Sequence, residues 1–224
     1  MYVFCIFRFL LSKEFAITGV AYIYVLITCS NYFIRTATIV HHLTINFHPI
    51  LKNNLVTATP LQQADFDRLF VAASDPLIWE QHPNKNRWQR EVFENYFEGA
   101  IKSGGAFLVT DTQTNEVIGS SRYSDYVAAT NTVSIGYTFF VRSHWGTGHN
   151  YALKQLMLQY IFEFVDTVKF YIGAINKRSQ ISLERFGAIK TGEEETAYYG
   201  EPAKLDYVYC ITKEQWIRIH CKKD

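Results

Sequence analysis

The stretch Thr132–Lys154 constrains the fold more than any other part of the sequence, because its hydrophobic period changes halfway along. From Thr132 to Arg142, β-branched and aromatic residues alternate with smaller or more polar ones, which is the period of a half-buried strand. After Tyr151 the apolar residues follow helical spacing, at Ala152, Leu153, Leu156, Met157, Tyr160, Ile161 and Phe164. Between the two patterns lies Trp145-Gly-Thr-Gly148. The sequence therefore predicts a strand, a glycine turn and a helix in succession.

The glycine turn has two interpretations, and the local pattern leaves both open. Glycines allow positive φ and close approach to the backbone. The first N–H groups of a helix lack an intrahelical partner, and the helix dipole favours an anion there. The turn is thus either a phosphate site or a tight connection with no ligand. It lacks the Gly-Lys-Ser/Thr ending of the P-loop and the third glycine of the dinucleotide fingerprint, so a phosphate site here would be a pyrophosphate cradle of another kind.

Composition excludes several classes of function. The 224 residues are 48% hydrophobic and 16% aromatic, which is typical of a globular chain with a substantial core. The net charge is +1 and no basic run is present, which argues against nucleic-acid binding. The four cysteines form no CxxC pair and no Cys/His cluster at zinc spacing, so we expect no metal site. Reduced thiols favour a cytoplasmic location.

Residues 1–43 differ from the rest of the chain. Phe15 to Ile34 contains no charged residue and is long enough for a transmembrane helix, although Thr18, Gly19 and Asn31 dilute it. Three interpretations remain: an extension or loosely packed tail, a membrane anchor, or a signal peptide, of which the last lacks an Ala-x-Ala site. Any membrane contact is expected only through residues 15–34, and no function is inferred from this segment.

Residues 50–224 are predicted to form one domain with the order β-α-α-β-β-β-α-β-α-β-β. Short connections between the central strands indicate an antiparallel meander. The predicted strands are Leu55–Thr59, Ala106–Asp111, Val117–Tyr123, Thr132–Arg142, Val168–Gly173, Ala188–Glu194 and Leu205–Thr212. The predicted helices are Gln62–Ser74, Trp88–Ile101, the helix from the glycine turn to about Val165, and Asn176–Gly187. The fold class is α/β, with a mixed, mostly antiparallel sheet flanked by helices.

This order, with Trp145-Gly-Thr-Gly148 after the central strand, resembles the GCN5-related N-acetyltransferase (GNAT) superfamily. Within it the chain is similar to the branch of ribosomal-protein N-terminal acetyltransferases. The likeness covers about Asn53 to Thr212. It rests on the order and spacing of several segments together, among them Trp79-Glu-Gln-His-Pro, Ser103-Gly-Gly-Ala-Phe, Val117-Ile-Gly-Ser-Ser-Arg-Tyr, Ile135-Gly-Tyr-Thr-Phe, Leu153-Lys-x-Leu-Met-Leu and Asn176-x-x-Ser179.

The resemblance implies acetyl-CoA as co-substrate, an amine acceptor, and a GNAT-like acyl-CoA N-acyltransferase fold. The backbone near Phe140 and Val141 would bind the pantetheine arm, and the turn after them the pyrophosphate. Asn176 would contact the cofactor arm and Ser179 would lie near the thiol. The implied cofactor-binding residues are Phe140, Val141, Arg142, Trp145, Gly146, Thr147, Gly148, His149, Asn150, Asn176 and Ser179.

The general base is the weakest part of the resemblance. Related sequences often carry a glutamate just before Ile-Gly in the central strand, where this chain has Ser134, which cannot act as a base near neutral pH. The other candidates are His82, His144, His149, Glu80 and Asp125. His82 lies in the loop that lines the acceptor site in the family, or else it is an ordinary loop residue.

Other residues also have two interpretations. Ser179 either donates a proton to the departing thiolate or is an ordinary polar residue early in a helix. A cation at His149 is disfavoured by the helix dipole, so His149 is expected to be a cofactor-side contact and not a base. Tyr198 and Tyr199 either line the acceptor site or only pack.

The sequence therefore predicts an acetyl-CoA-dependent N-acetyltransferase that works by direct attack in a ternary complex, because no cysteine lies in a motif suited to an acyl-enzyme. The acceptor would be a protein N-terminus or a small amine. A non-catalytic CoA-binding or sensing domain remains an alternative because of Ser134. A membrane-tethered enzyme or scaffold is a third hypothesis, and a monomer and a homodimer remain equally open.

Overall fold

The computed structural model describes residues 21–23, 39–41 and 45–220. The chain divides into two compact units, residues 1–45 and 46–224. In the first unit, β1 (Ala21–Ile23) pairs antiparallel with β2 (Ile39–His41). The rest of residues 15–34 lies outside the described residues, so the membrane anchor stays a prediction. Within the described ranges, no helix combines the length and apolar character needed to cross a bilayer.

The second unit is built on an eight-stranded sheet with the strand order β3-β4-β5-β6-β7-β8-β10-β9. The strands are β3 (Leu51–Lys52), β4 (Val56–Pro60), β5 (Ala106–Asp111), β6 (Val117–Val127), β7 (Thr132–Phe140), β8 (Thr167–Gly173), β9 (Ile189–Thr196) and β10 (Lys204–Thr212). The helices are α1 (Phe66–Ala73), α2 (Arg90–Lys102), α3 (His149–Ile161), α4 (Lys177–Arg185) and α5 (Lys213–His220). Among the described strands, only β7 and β8 pair in parallel. The predicted mixed, mostly antiparallel sheet flanked by helices is confirmed.

Several predicted boundaries were wrong, and two elements were missed. β7 ends at Phe140 because Arg142–His144 forms a 3₁₀ turn, and α3 ends at Ile161. β3 is too short to show a period in the sequence. α5 begins with a reciprocal cap, in which the Gln215 N–H donates to Thr212 Oγ1 at 3.2 Å and the Thr212 N–H donates to Gln215 Oε1 at 2.8 Å. That Thr-x-x-Gln spacing is a capping-box signal that was present in the sequence.

Helices cover both faces of the sheet, as the alternation along β5 shows. Ala106 and Leu108 belong to the core formed with α1 and α2. Phe107 points the other way, because successive strand residues face opposite sides, and its ring lies 5.5 Å from that of Tyr123. The Tyr123 hydroxyl donates to the carbonyl of Met157 in α3 at 2.7 Å. The sheet therefore lies between α1 and α2 on one face and α3 on the other.

A β-bulge in β7 determines where the sheet opens. Ser120 is opposite Phe139 and Arg122 is opposite Gly136, so β7 has one more residue than β6 over this interval. Tyr137, inside the bulge, has φ 54°, which is rare for a residue with a side chain. A bulge bends the strand that carries it and increases its twist. The register of β7 with β8 covers only Thr132–Ser134, below the bulge.

Candidate active site

A cleft opens between β7 and β8 where their pairing stops. It has a volume of about 540 Å³ and is lined by residues 135–140 of β7 and 170–173 of β8. Beyond Ser134 the facing edges of the two strands have no strand partner on that side. An extended ligand can therefore form hydrogen bonds with the backbone N–H and C=O groups of β7, as an added strand would. We call this cavity the cleft.

The glycine turn, Trp145–Gly148, closes one end of the cleft. Gly146 has φ 74° and Gly148 has φ 89°, a region that glycine adopts without a steric cost. α3 starts directly after it, and its first helical bond runs from the Ala152 N–H to the Gly148 carbonyl at 2.9 Å. The N–H groups of residues 149–151 precede that bond, so they have no acceptor within the helix. Such a turn suits a phosphate group.

Trp145 and Arg178 hold the turn in place. The Trp145 indole N–H donates to the Phe140 carbonyl at 2.9 Å. The Arg178 guanidinium lies 4.0 Å from the centre of the Trp145 ring and also bonds Glu80 at 3.1 Å. Both Trp145 and Arg178 line the cleft. A cation therefore stacks on the first residue of the turn, which favours an anion in this part of the cleft.

The start of α4 forms another side of the cleft. The Asn176 side-chain carbonyl accepts the Ser179 backbone N–H at 3.2 Å and caps the helix. Asn176 and Ser179 both line the cleft. Asn150, at the start of α3, donates to the Ser182 hydroxyl at 3.0 Å, while its own Oδ1 is buried without a hydrogen-bond partner. That oxygen is a polar group left free beside the cleft.

The structure brings most of the predicted site residues together. The cleft is lined by His82, Phe140, Trp145, Gly146, Gly148, Asn150, Asn176 and Ser179. Other predicted residues lie outside its lining: Ser134, Val141, Arg142, Thr147 and His149. The Val141 N–H pairs with the Ile118 carbonyl at 2.8 Å, and Arg142 bonds Asp75 at 2.5 Å. Ser134 is buried in the parallel pairing with Lys169, below the point where the strands separate.

His82 is held as a neutral imidazole. Arg87 Nη1 lies 3.1 Å from His82 Nε2, and because a guanidinium only donates, Nε2 must accept. Nδ1 lies 2.9 Å from the Asn84 backbone N–H and 3.1 Å from the Asn84 carbonyl, so both ring nitrogens are already engaged in hydrogen bonds. Burial, followed by the charge of Arg87, lowers the pKa of His82 well below its usual value. Its available lone pair is already occupied, so the geometry does not favour His82 as a general base.

Arg87 lies at the end of the cleft that Tyr198 lines, and no feature of the sequence singled it out. It is 1% exposed and forms an ion pair with Glu201 at 2.8 Å. Its guanidinium lies within 6 Å of four aromatic ring centres, those of Trp79, Tyr96, Tyr137 and Tyr198. Arg87 therefore fixes the side chains that line this end of the cleft.

Tyr198 and Asp206 form a buried dyad beside Arg87. The Tyr198 hydroxyl donates to Asp206 Oδ2 at 2.7 Å, and Asp206 Oδ1 has no hydrogen-bond partner. Desolvation raises the pKa of the Asp206 carboxyl and, with the nearby carboxylate, that of Tyr198. Tyr198 lines the cleft, whereas the exposed Tyr199 does not and accepts from Lys102 at 2.6 Å. A carboxylate with a raised pKa behind a hydroxyl can accept a proton from the cleft.

Lys154 of α3 is the other buried ionisable group that lines the cleft. It is 5% exposed, and its Nζ donates to Thr138 Oγ1 at 2.6 Å and to Ser121 Oγ at 3.3 Å. Desolvation lowers the pKa of Lys154 to about 7. Its position next to Leu153 on the buried face of the helix was a signal in the sequence, since lysine is rarely buried.

A sheet that opens between two strands, with a phosphate-suited turn at one end of the opening, can hold an extended ligand that carries phosphate groups. The chain belongs to the acetyltransferase (GNAT) domain family, whose model matches residues 56–189. The predicted superfamily is thereby confirmed, and acetyl-CoA-dependent acetyl transfer is the reaction of that family. No curated protein sequence matches the chain.

Solved structures show the same fold. A GCN5-related N-acetyltransferase from Brucella melitensis superposes with a TM-score of 0.66 at 20% identity, covering 75% of this chain and 80% of that one. Spermidine N-acetyltransferase from Vibrio cholerae, in complex with CoA and spermine, gives 0.58 at 15% identity, with 74% and 99% covered. RimJ from Mycobacterium smegmatis, in complex with CoA-disulfide, gives 0.57 at 16% identity, with 71% and 83% covered.

Proposed function

We propose that this protein transfers the acetyl group of acetyl-CoA to a primary amine, which is a protein N-terminus or a small amine. The observation that carries the proposal is the continuous cleft, which joins the glycine turn at one end to the Tyr198–Asp206 dyad at the other. A cofactor that enters at the turn and an amine that enters beside Tyr198 would meet between β7 and β8. Proximity of this kind converts a bimolecular reaction into a unimolecular one.

The residues of the cleft fit the parts of acetyl-CoA. The N–H groups at the start of α3 and the Arg178 guanidinium suit the pyrophosphate. The unpaired edge of β7 suits the amide groups of the pantetheine arm and can stabilise the oxyanion of the thioester carbonyl. Asn176 and Ser179 lie across the cleft from that edge, where Ser179 can donate a proton to the sulfur.

We assign removal of the amine proton to Tyr198 backed by Asp206. The incoming ammonium gives its proton to the Tyr198 oxygen, and Tyr198 passes its own proton to Asp206 Oδ2. The neutral nitrogen then attacks the thioester carbon, so that a C–N bond forms and the C–S bond breaks. As the attached nitrogen becomes an amide it loses its second proton, which restores Ser179 after Ser179 has protonated the thiolate, and Asp206 releases the first proton to water. Ser134 has no part in this scheme. His82 has none either, because its Nε2 lone pair already accepts a hydrogen bond from Arg87.

Direct attack in a ternary complex is favoured over an acyl-enzyme. Within the described ranges Cys210 is the only cysteine, and it does not line the cleft. Within those ranges no thiol is therefore placed to carry the acetyl group.

The test measures thiol release from acetyl-CoA over a panel of amines and N-terminal peptides. Tyr198→Phe and Asp206→Asn should each lower kcat by ~10²-fold or more while acetyl-CoA binding is retained, in line with the loss of a general base. Tyr199→Phe is the matched control and should behave as the wild type, because Tyr199 lies outside the cleft lining. The wild-type rate should fall as pH drops through the raised pKa of Asp206, and Asp206→Asn should lose that dependence.

Two outcomes would contradict parts of the proposal. Full activity of Tyr198→Phe would remove the dyad from the mechanism and leave the transfer reaction intact. Tight acetyl-CoA binding with no turnover for any acceptor would favour the alternative, a CoA-binding or sensing domain.

A further inference from the structure

A second cluster of ionisable side chains lies beside the glycine turn. Asp111 ends β5, and His144 and His149 flank the turn. His149 Nε2 lies 3.0 Å from Asp111 Oδ2, and His144 Nε2 lies 3.6 Å from the same oxygen. One ligand atom from each of the three residues lies within 4.8 Å of the other two. Of the three, only His144 lines the cleft, so the cluster is separate from the proposed acetyl transfer and does not depend on it.

The hydrogen bonds around His149 leave a lone pair facing a carboxylate. The Thr147 hydroxyl lies 2.8 Å from the His144 carbonyl, which can only accept, so the hydroxyl proton points there. The Thr147 oxygen must then accept from His149 Nδ1, which is 2.8 Å away and carries the ring proton. In the neutral ring, Nε2 therefore presents a lone pair to Asp111 Oδ2 at 3.0 Å. Two acceptors at that distance require a second proton on the ring or a metal cation between them.

The remaining polar atoms of the three residues are arranged as in a metal site. Asp111 Oδ1 accepts the backbone N–H groups of Gln113 and Thr114 at 2.8 and 2.9 Å, which leaves Oδ2 free to bind a metal. His144 Nδ1 lies 3.0 Å from the Ser143 hydroxyl, so its Nε2 is free as well. Ligating histidines characteristically have the second ring nitrogen hydrogen-bonded in this way, which fixes the ring orientation.

The donor set favours zinc. Two imidazole nitrogens and one carboxylate oxygen form a common three-ligand set for Zn²⁺. In a tetrahedral site with bonds of ~2.0–2.1 Å, neighbouring donor atoms are ~3.3 Å apart. Two of the three separations, 3.0 and 3.6 Å from Asp111 Oδ2, lie on either side of that value, and the two histidine nitrogens, within 4.8 Å of each other, would move closer when an ion binds.

We propose that Asp111, His144 and His149 bind one Zn²⁺ ion, with an open fourth position. The ion joins both ends of the glycine turn to the hairpin between β5 and β6. A metal that binds this folded arrangement and not the unfolded chain stabilises the fold and fixes the turn.

The test uses Zn²⁺ alone, titrated into the metal-free full chain and followed by calorimetry, with Co²⁺ as a spectroscopic substitute. The wild type should bind one equivalent and show visible d–d bands without a thiolate charge-transfer band. Asp111→Asn and His149→Gln should each weaken binding by ~100-fold or more, and Thr147→Val by ~10–100-fold, as expected for a residue that orients a ligand. His48→Gln, at an exposed histidine, is the control and should leave affinity unchanged.

Circular dichroism of each variant checks that the fold is retained, and the zinc-induced rise in Tm should be lost in Asp111→Asn and His149→Gln. Wild-type affinity in these two variants would overturn the proposal. So would a wild-type chain that binds no Zn²⁺, since the cluster would then be a protonated imidazole paired with a carboxylate.

Discussion

Replacing Lys154 by methionine should stabilise the protein at neutral pH, and the gain should shrink as the pH rises. The folded chain holds this amine at a pKa of about 7, against 10.5 for the ordinary value. Between those values the unfolded chain binds more protons than the folded chain, so stability rises with pH. At ~1.36 kcal/mol per pKa unit, burying the amine costs ~4 kcal/mol at pH 7 and ~1 kcal/mol at pH 10. Lys154→Met removes that cost, and Ser121 and Thr138 can still pair with each other at 2.8 Å.

Urea unfolding of the wild type and Lys154→Met at pH 7 and pH 10 measures the effect. The stability difference between the two proteins should change by ~3 kcal/mol between these pH values. This double difference cancels any change in packing caused by the methionine and any titration shared by both proteins. Lys52→Met, at an exposed lysine, is the control and should show no such change. If the stabilities of the wild type and Lys154→Met shift in parallel with pH, the amine is not buried as described.

Three further predictions concern the two ends of the cleft. Arg87→Met should cost ~3–5 kcal/mol in urea unfolding because it leaves the carboxylate of Glu201 buried without its partner. Arg87→Met/Glu201→Gln should cost less than the sum of the single variants, and additive losses would refute the ion pair. Gly148→Ala should weaken acetyl-CoA binding in calorimetry, since φ 89° costs a side chain ~1–2 kcal/mol; Gly192→Ala, where a Cβ meets open space, should not. Because burial holds the pKa of His82 below 6.5, stability should fall by up to ~1.4 kcal/mol per pH unit below that value. In His82→Gln this slope should flatten, and an equal slope in both proteins would contradict the assignment.

The order of the elements was predictable because each strand or helix buries one face. Its apolar residues therefore recur with the period of a strand or of a helix. The helix after the glycine turn, for example, is marked by both glycines and the apolar positions that follow. The opening of the sheet was not predictable. It coincides with a bulge in which Tyr137, and not the neighbouring Gly136, takes the positive φ, and no residue preference signals that choice.

The candidate site was predictable only where it is local in sequence. Residues of the glycine turn and the Asn176–Ser179 cap could be named because each set lies within a few positions. Arg87, which lines the cleft, and Asp206, which bonds Tyr198 of the lining, come from distant segments that only the fold brings together. Asp111 likewise joins the two histidines by the folding of a hairpin, which is why no zinc spacing was visible along the chain.

The outer strand β9 bears on how copies of this chain can associate. It ends the sheet, and among the described strands it pairs only with β10. Its exposed residues include Glu193, Glu194 and Glu195 in a row. If two copies joined at this edge about a two-fold axis, their glutamates would face each other, and like charges on facing strands repel. A dimer of this protein is therefore expected to form through another surface. The charge of β9 keeps the sheet from being extended by a second copy at this edge.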